Sequence, residues 1–221
     1  MELEKAVRER RSVRQFKKEQ VPEQVIREIL EGARWAPSWG NTQPWEFCVI
    51  TGQSLETIKK TNRQRVMDGV APAPDISMPQ EWPDQMKARY MGIGKSVLTA
   101  LNIERDDKEG RTRYNADMFY LFDAPCLIVV VQDKGVTSNY RLLDIGLILQ
   151  TICLLAHDRG LGTCIMACAV GYPDVLRNVA KIPESKTVVM GVAVGYPDLD
   201  APINRFKRTR ADVEDFVTWV E

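Results

Sequence analysis

The chain has 221 residues, 44% hydrophobic and 27% charged, which suits a globular fold with a real core and no more than two domains. Lys plus Arg and Asp plus Glu are both 30, so no overall field draws the protein to nucleic acid or to an anionic membrane. The cysteines Cys48, Cys126, Cys153, Cys164 and Cys168 are odd in number and lie mostly in apolar runs, which fits reduced thiols in a cytoplasm better than a disulfide framework.

The charged N-terminus lacks the apolar core of a signal peptide, and residues 2–9 read as a short helix. Beyond Val21-Pro22, the spacing of Val25, Ile26, Ile29, Leu30 and Ala33 predicts a second helix with Pro22 in its first turn. Trp35 to Pro44 is a loop by composition, Trp45 to Thr51 alternates as a strand, and Leu55 to Val66 resumes helical spacing. Pro72, Pro74, Pro79 and Pro83 make residues 68–85 an irregular and mobile segment. A helix is expected from Met86 to Glu104, then a charged turn from Arg105 to Arg113 and the aromatic run Met118 to Phe122.

The second half reads more plainly. Ala124 to Val131 is continuously apolar and β-branched, as a buried strand is. Asn139 to Arg159 is a long helix, apolar almost all round, with Gly160 as its stop. Such a helix belongs at the centre of a domain or at a subunit interface. Its most apolar run, Leu142 to Ala156, is too short to span a bilayer. A helix over Tyr172 to Val179 and a buried strand over Thr187 to Gly195 follow, then the basic tail Arg205 to Arg210 and a last apolar turn from Val213. Nothing repeats and no Gly/Ser linker appears, so 1–221 is expected to be one α+β domain, a sheet with helices on its faces.

No Gly-x-Gly-x-x-Gly or P-loop pattern is present. His157 is the only histidine, so no metal site or catalytic triad is expected. What remains is arginine at both ends of the chain. Arg10, Arg11 and Arg14 flank Ser12, and Arg205, Lys207, Arg208 and Arg210 lie in the tail; guanidinium groups with a hydroxyl between them suit a phosphate. On composition alone solvated surface is the preferred reading of both clusters. The loop Pro37-Ser38-Trp39-Gly40-Asn41-Thr42-Gln43-Pro44-Trp45 combines amides with two large aromatics, a set able to stack on a planar ring and hydrogen-bond its edge, or to make a structural turn.

Together these segments resemble the FMN-dependent nitroreductase family along the whole chain. Arg10-Arg11-Ser12-Val13-Arg14 is similar to the family's Arg-x-Ser-x-Arg/Lys signature, and the 37–45 loop to its Pro-Ser-x-x-Asn-x-Gln-Pro-Trp element. Gly160-Leu161-Gly162, Gly195-Tyr196-Pro197 and Arg208-x-Arg210 complete the order. An insert at about 70–122 resembles the nitrobenzoate-reductase-like branch.

The resemblance implies a sandwich with a central, mostly antiparallel sheet, interlocked as a homodimer with FMN at the interface. Arg10, Ser12, Arg208 and Arg210 would hold the phosphate and ribityl chain, with Arg14 at the pyrimidine edge of the ring and Arg11 a further cofactor-binding residue. Pro37, Ser38, Trp39, Asn41 and Gln43 would come from the partner chain, and Ile165, Met166 and Ala167 would pass the flavin N5 side. Trp39, Tyr90, Met91 and Phe122 are candidates for the acceptor pocket. The implied reaction is ping-pong: NAD(P)H reduces FMN and leaves, then a small nitroaromatic or quinone-like acceptor takes two electrons. Rival readings keep the fold with another reaction (dehalogenation, flavin fragmentation, heterocycle oxidation) or make the protein a non-catalytic flavin binder. Neither a nucleic-acid partner nor a membrane is expected.

Overall fold

A computed structural model describes all residues, 1–221. Its centre is one antiparallel sheet in the order β1-β2-β4-β3, built from β1 (Glu46–Thr51), β2 (Cys126–Asp133), β3 (Gly162–Met166) and β4 (Lys186–Gly195). The period-two rule shows in β2, where neighbouring side chains enter opposite cores. Leu127, Val129 and Val131 pack with Phe119, Leu121 and Leu176 on one face. Cys126, Ile128 and Val130 pack with Ile145, Ile148 and Ile152 on the other. Both faces are apolar because both are covered.

On the first face lie α3 (Gly52–Met67), α5 (Lys108–Phe119) and α7 (Pro173–Ala180). On the second lie α2 (Glu23–Ala33) and α6 (Tyr140–Asp158), with α1 (Leu3–Glu9) packed on α6. In α2, Ile26, Ile29 and Ala33 are the buried stripe, and Pro22 caps the helix from just outside rather than from its first turn. α6 has two distinct sides. Ile145, Ile148, Leu149, Ile152 and Ala156 are buried, whereas Leu143 and Leu147 face outward. The helix is longer than the apolar run suggested and meets the length and hydropathy of a bilayer span, yet its inner face is packed on the sheet. Gly160 ends this region with φ +75°.

Two expectations are corrected. The charged stretch after residue 105 is not a turn: α5 starts at Lys108, and the Asp107 carboxylate caps it by accepting from the Gly110 N–H at 2.8 Å. Charge hid the helix because α5 buries little beyond Gly110, Ala116 and Phe119. The proline segment is irregular, but its first part is anchored. Ala73 N–H donates to the Gly171 carbonyl at 2.9 Å, Tyr172 Oη donates to the Val70 carbonyl at 2.6 Å, and Asp75 accepts from Val188 N–H at 2.8 Å and Arg177 at 2.6 Å. Prolines remove helix and ladder bonds without preventing such side-chain anchoring.

The remaining helices, α4 (Asp84–Ala100) and α8 (Pro202–Arg205), pack together at the rim. Between α5 and β2, Leu121, Phe122 and Asp123 take left-handed φ of 57°, 53° and 56°. The Lys59 ammonium, 1% exposed, holds this turn by donating to Asp123 at 2.6 Å, and it also pairs with Glu56.

Burial pushes the Asp75 carboxyl up, but its bonds from Arg177 and Val188 outweigh that and hold it below the usual carboxylate range. A depressed folded pKa gives stability that is present above the unfolded value of 3.8 and lost as pH falls through the folded one. Asp75→Asn is therefore expected to cost about 1–3 kcal/mol at pH 7. In urea unfolding, the gap between wild type and variant should narrow as pH is taken below 4.

Candidate functional site

The chain leaves α1 at Glu9 and runs alongside β3. Ser12 bridges to Thr163 in parallel, Val13 N–H donates to the Thr163 carbonyl at 2.9 Å, and Phe16 bridges to Pro197. Val13 and Phe16 are buried. Close approach to β3 requires Gly162: a Cβ there would lie 2.6 Å from Val13 Cγ2. The second glycine of Gly160-Leu161-Gly162 is thus a packing requirement of the arginine segment.

The tail closes over this segment through Asn204, 3% exposed. Its Oδ1 accepts from Arg14 N–H at 2.7 Å, and its Nδ2 donates to the Gln15 and Asp198 carbonyls, both at 2.8 Å. Arg11 donates to the carbonyls of Asn204 and Phe206, and Arg208 to those of Arg8, Glu9 and Arg10. The Arg11 and Arg14 guanidinium carbons each lie 5.8 Å from the centre of the Phe206 ring.

The result is a hollow of about 140 Å³ lined by Arg10, Arg11, Ser12, Arg14, Arg208 and Arg210, with Ile93 and Phe206 beside them. No carboxylate lines it. None of these guanidinium groups is in an ion pair, although Arg8, Arg65 and Arg177 elsewhere are paired at 2.8 Å or less. Burial, then repulsion from Arg14, lowers the Arg11 pKa; burial, then Arg11, Arg210 and Arg10, lowers that of Arg208. The buried Arg10 Nε has no hydrogen-bond partner. Crowded, unneutralised cations with a spare donor fit a phosphate monoester such as that of FMN.

The other predicted residues lie apart from this hollow within the chain. The Pro37–Gln43 loop sits at the start of α6, where the buried Asp144 accepts from Trp39 N–H at 3.0 Å. Ser38 Oγ accepts from Gln43 N–H at 2.9 Å, and Gly40, Asn41 and Gln43 have left-handed φ. Trp39 is 67% exposed, and nothing in the chain stacks on it. On β3, Ile165 is 39% exposed whereas Met166 is buried in the core, so Met166 offers only its backbone; Ala167 is half-buried. Tyr90 and Met91 are exposed on α4, and only Tyr90 faces the groove beside the hollow. Phe122 is buried, packs against Tyr114, and with it and Arg14 lines a cavity of about 290 Å³.

Asn204, Asp144 and Tyr114 were not apparent from the sequence. Burial raises the Tyr114 pKa, with Arg14 opposing it. All cysteines are free, and burial pushes the Cys126 and Cys168 thiols to about 12, which removes them as nucleophiles at neutral pH.

The model of the nitroreductase family matches residues 7–196. The chain belongs to the nitroreductase family. It is 34% identical over 226 residues to a 4-nitrobenzoate reductase of Nocardioides sp. (strain LMS-CY), covering 97% of this chain and 88% of that protein. It is 30% identical to a nitrobenzene nitroreductase of Ectopseudomonas oleovorans, covering 99% and 96%. Two solved structures superpose over nearly the full length. The FMN- and NADPH-dependent nitroreductase NfnB of a Sphingopyxis strain matches with a TM-score of 0.95 at 28% identity, covering 100% of both chains. NfnB of Mycobacterium smegmatis, in complex with NADPH, matches at 0.92 and 26% identity, covering 99% and 97%. The fold is therefore the nitroreductase fold.

In this nitroreductase Asn204→Ala should cost about 2–4 kcal/mol, because several buried partners lose their bonds together. FMN affinity should fall further than stability, since the Arg14 strand loses its anchor to the tail. Denaturant unfolding and flavin titration measure the two effects separately.

Proposed function

We propose that this chain is an FMN-dependent oxidoreductase that takes electrons from NAD(P)H and delivers them to nitroaromatic or quinone-like acceptors. The observation that carries the reading is the carboxylate-free hollow of unpaired guanidinium groups around Ser12. Support for donor and acceptor comes from relatives named as reductases of 4-nitrobenzoate and nitrobenzene, and from FMN- and NADPH-dependent structural neighbours. FMN, when bound, supplies hydride acceptance and two-electron delivery.

The chain's own residues bind and orient. Arg10, Arg11, Arg208 and Arg210 would neutralise the phosphate, and the Ser12 hydroxyl, on the strand beside Thr163, would complete the grip. Arg14, fixed through its own N–H by Asn204 and flanked by Phe206, carries a permanent positive charge further along the same strand and would serve the isoalloxazine. A preorganised cation there favours a ring that gains negative charge on reduction. The exposed Ile165 and the backbone of Met166 and Ala167 would pass the ring's other edge.

The functional unit is a homodimer. The outer side of α6 leaves Tyr140, Leu143 and Leu147 exposed next to Trp39, an apolar surface that a single chain has no reason to keep. A second copy covers it and brings its Pro37–Gln43 loop to the flavin. Leu143→Glu should therefore shift sedimentation from dimer to monomer and lower flavin content together. A dimeric, flavin-loaded Leu143→Glu protein would remove α6 from the interface.

The purified protein is expected to be yellow and to bleach on anaerobic addition of NAD(P)H, the colour returning with a nitroaromatic acceptor. Arg14→Ala should make the bound flavin harder to reduce by some tens of millivolts, about 1.4 kcal/mol per 30 mV for two electrons. Arg10→Ala and Arg208→Ala should mainly weaken FMN binding. A protein that stays colourless after incubation with FMN would overturn the reading, and an unmoved potential in Arg14→Ala would overturn the role of that residue.

A further inference from the structure

A broad groove of about 1040 Å³ runs between α4 and the C-terminal tail. From α4 it is lined by Gln85, Ala88, Arg89, Gly92, Ile93 and Ser96, spaced so that they form one face of the helix. From the tail come Lys207, Arg210 and Phe216. The groove opens directly from the arginine hollow, because Ile93 and Arg210 line both. Beyond Ser96 and Lys207 it continues into a shallower trough edged by Lys95 and Arg205.

Charge along this path is one-sided. No carboxylate lines the hollow, the groove or the trough. Arg89, Lys95 and Lys207 have no ion pair; Arg205 alone is paired, with Asp200. In a chain with 30 basic and 30 acidic side chains this is a local excess that composition does not reveal. The cations of the hollow are accounted for by the flavin phosphate, and Arg89 and Lys207 are not.

The groove also has a flat, open centre. Gly92 faces it from mid-helix, and a Cβ there would meet nothing within 4 Å. A glycine inside a helix costs about 1 kcal/mol relative to alanine. No packing within the chain requires it here. It leaves the helix low where a planar group could lie, with the aromatic rings of Tyr90 and Phe216 at the edges.

We propose that this groove is a substrate subsite selecting molecules that carry an anionic group close to an aromatic ring, with Arg89 and Lys207 receiving the charge. The inference rests on the flavin reading above, since the groove opens from the hollow assigned to the flavin phosphate. The same chemistry has two sources. One is the 2′-phosphate that distinguishes NADPH from NADH, and the other is a ring carboxylate on a nitroaromatic acceptor.

The test uses the FMN-loaded protein and the variants Arg89→Gln, Lys207→Gln and their double. Dissociation constants are measured by calorimetry for NADP⁺ against NAD⁺, and for benzoate against benzamide. KM is measured for NADPH against NADH and for 4-nitrobenzoate against nitrobenzene. Wild type should prefer the anionic member of at least one pair by about tenfold, the scale of one charge-assisted bond. The double variant should bring that preference near unity, and each single variant part of the way. A change confined to the dinucleotides assigns the groove to the donor, and one confined to the ring acids assigns it to the acceptor. Equal ratios in wild type and double variant overturn the proposal. Flavin absorbance and bleaching by NADPH are recorded on the same samples, so a failed subsite with an intact yellow enzyme is distinct from failure of the flavin reading.

Discussion

The site depends on one buried amide. Asn204 joins Arg14, Gln15 and Asp198, so that segments about 190 positions apart in the chain form a single wall. Without it, the arginine strand would keep its bond to β3 through Val13 and the Arg11 and Arg208 bonds to main-chain carbonyls, but the Arg14 N–H and the Gln15 and Asp198 carbonyls would lose their shared partner. With it, the tail that carries Arg208 and Arg210 is brought across the strand that carries Arg10 and Arg14. A buried amide that meets backbone donors and acceptors rigidly specifies one arrangement, because any other leaves its polar atoms unpaired in the core.

The same wall shows how cations are oriented without being cancelled. Arg11 and Arg208 are held by main-chain carbonyls, and Phe206 lies under Arg11 and Arg14. A carboxylate would fix these side chains as well, but it would remove the charge that an anionic ligand needs. Carbonyl dipoles and a ring face fix direction and leave each guanidinium with its full charge. Elsewhere the chain uses the opposite device: Arg65 meets Asp174 with two bonds of 2.8 and 2.7 Å, and Arg177 meets Asp75. Those arginines anchor loops and helices, and neutralisation suits that purpose.

This division explains what could be read from the sequence. The strand around Leu127 to Val131 and the long helix through Ile152 were legible because their burial is a local pattern. The Arg10–Arg14 and Pro37–Pro44 elements were legible as motifs. α5 was not, since a helix that buries only Gly110, Ala116 and Phe119 has almost no apolar stripe to detect. Nor was the anchoring of the proline segment, which rests on Asp75 meeting Arg177 across 102 positions. Asn204 and Asp144 look like ordinary polar residues in their local context. Their importance lies in partners far along the chain, which no periodicity reports.

Net charge misleads for a related reason. The counts of basic and acidic side chains are equal, and from that number the protein has no field. The acids, however, are spread over other surfaces, many paired along helices as in Glu4–Arg8 and Glu23–Arg27. Such exposed pairs contribute little stability. Their larger effect is to cancel the local attraction of each paired cation for anions. From Arg208 through Arg210 to Lys207 and Arg89 the pairing stops, along one continuous path from the hollow into the groove. A carboxylate-free path of unpaired cations raises the local concentration of small anions along it, although the chain as a whole carries no net charge, which is an electrostatic form suited to an enzyme for small charged substrates.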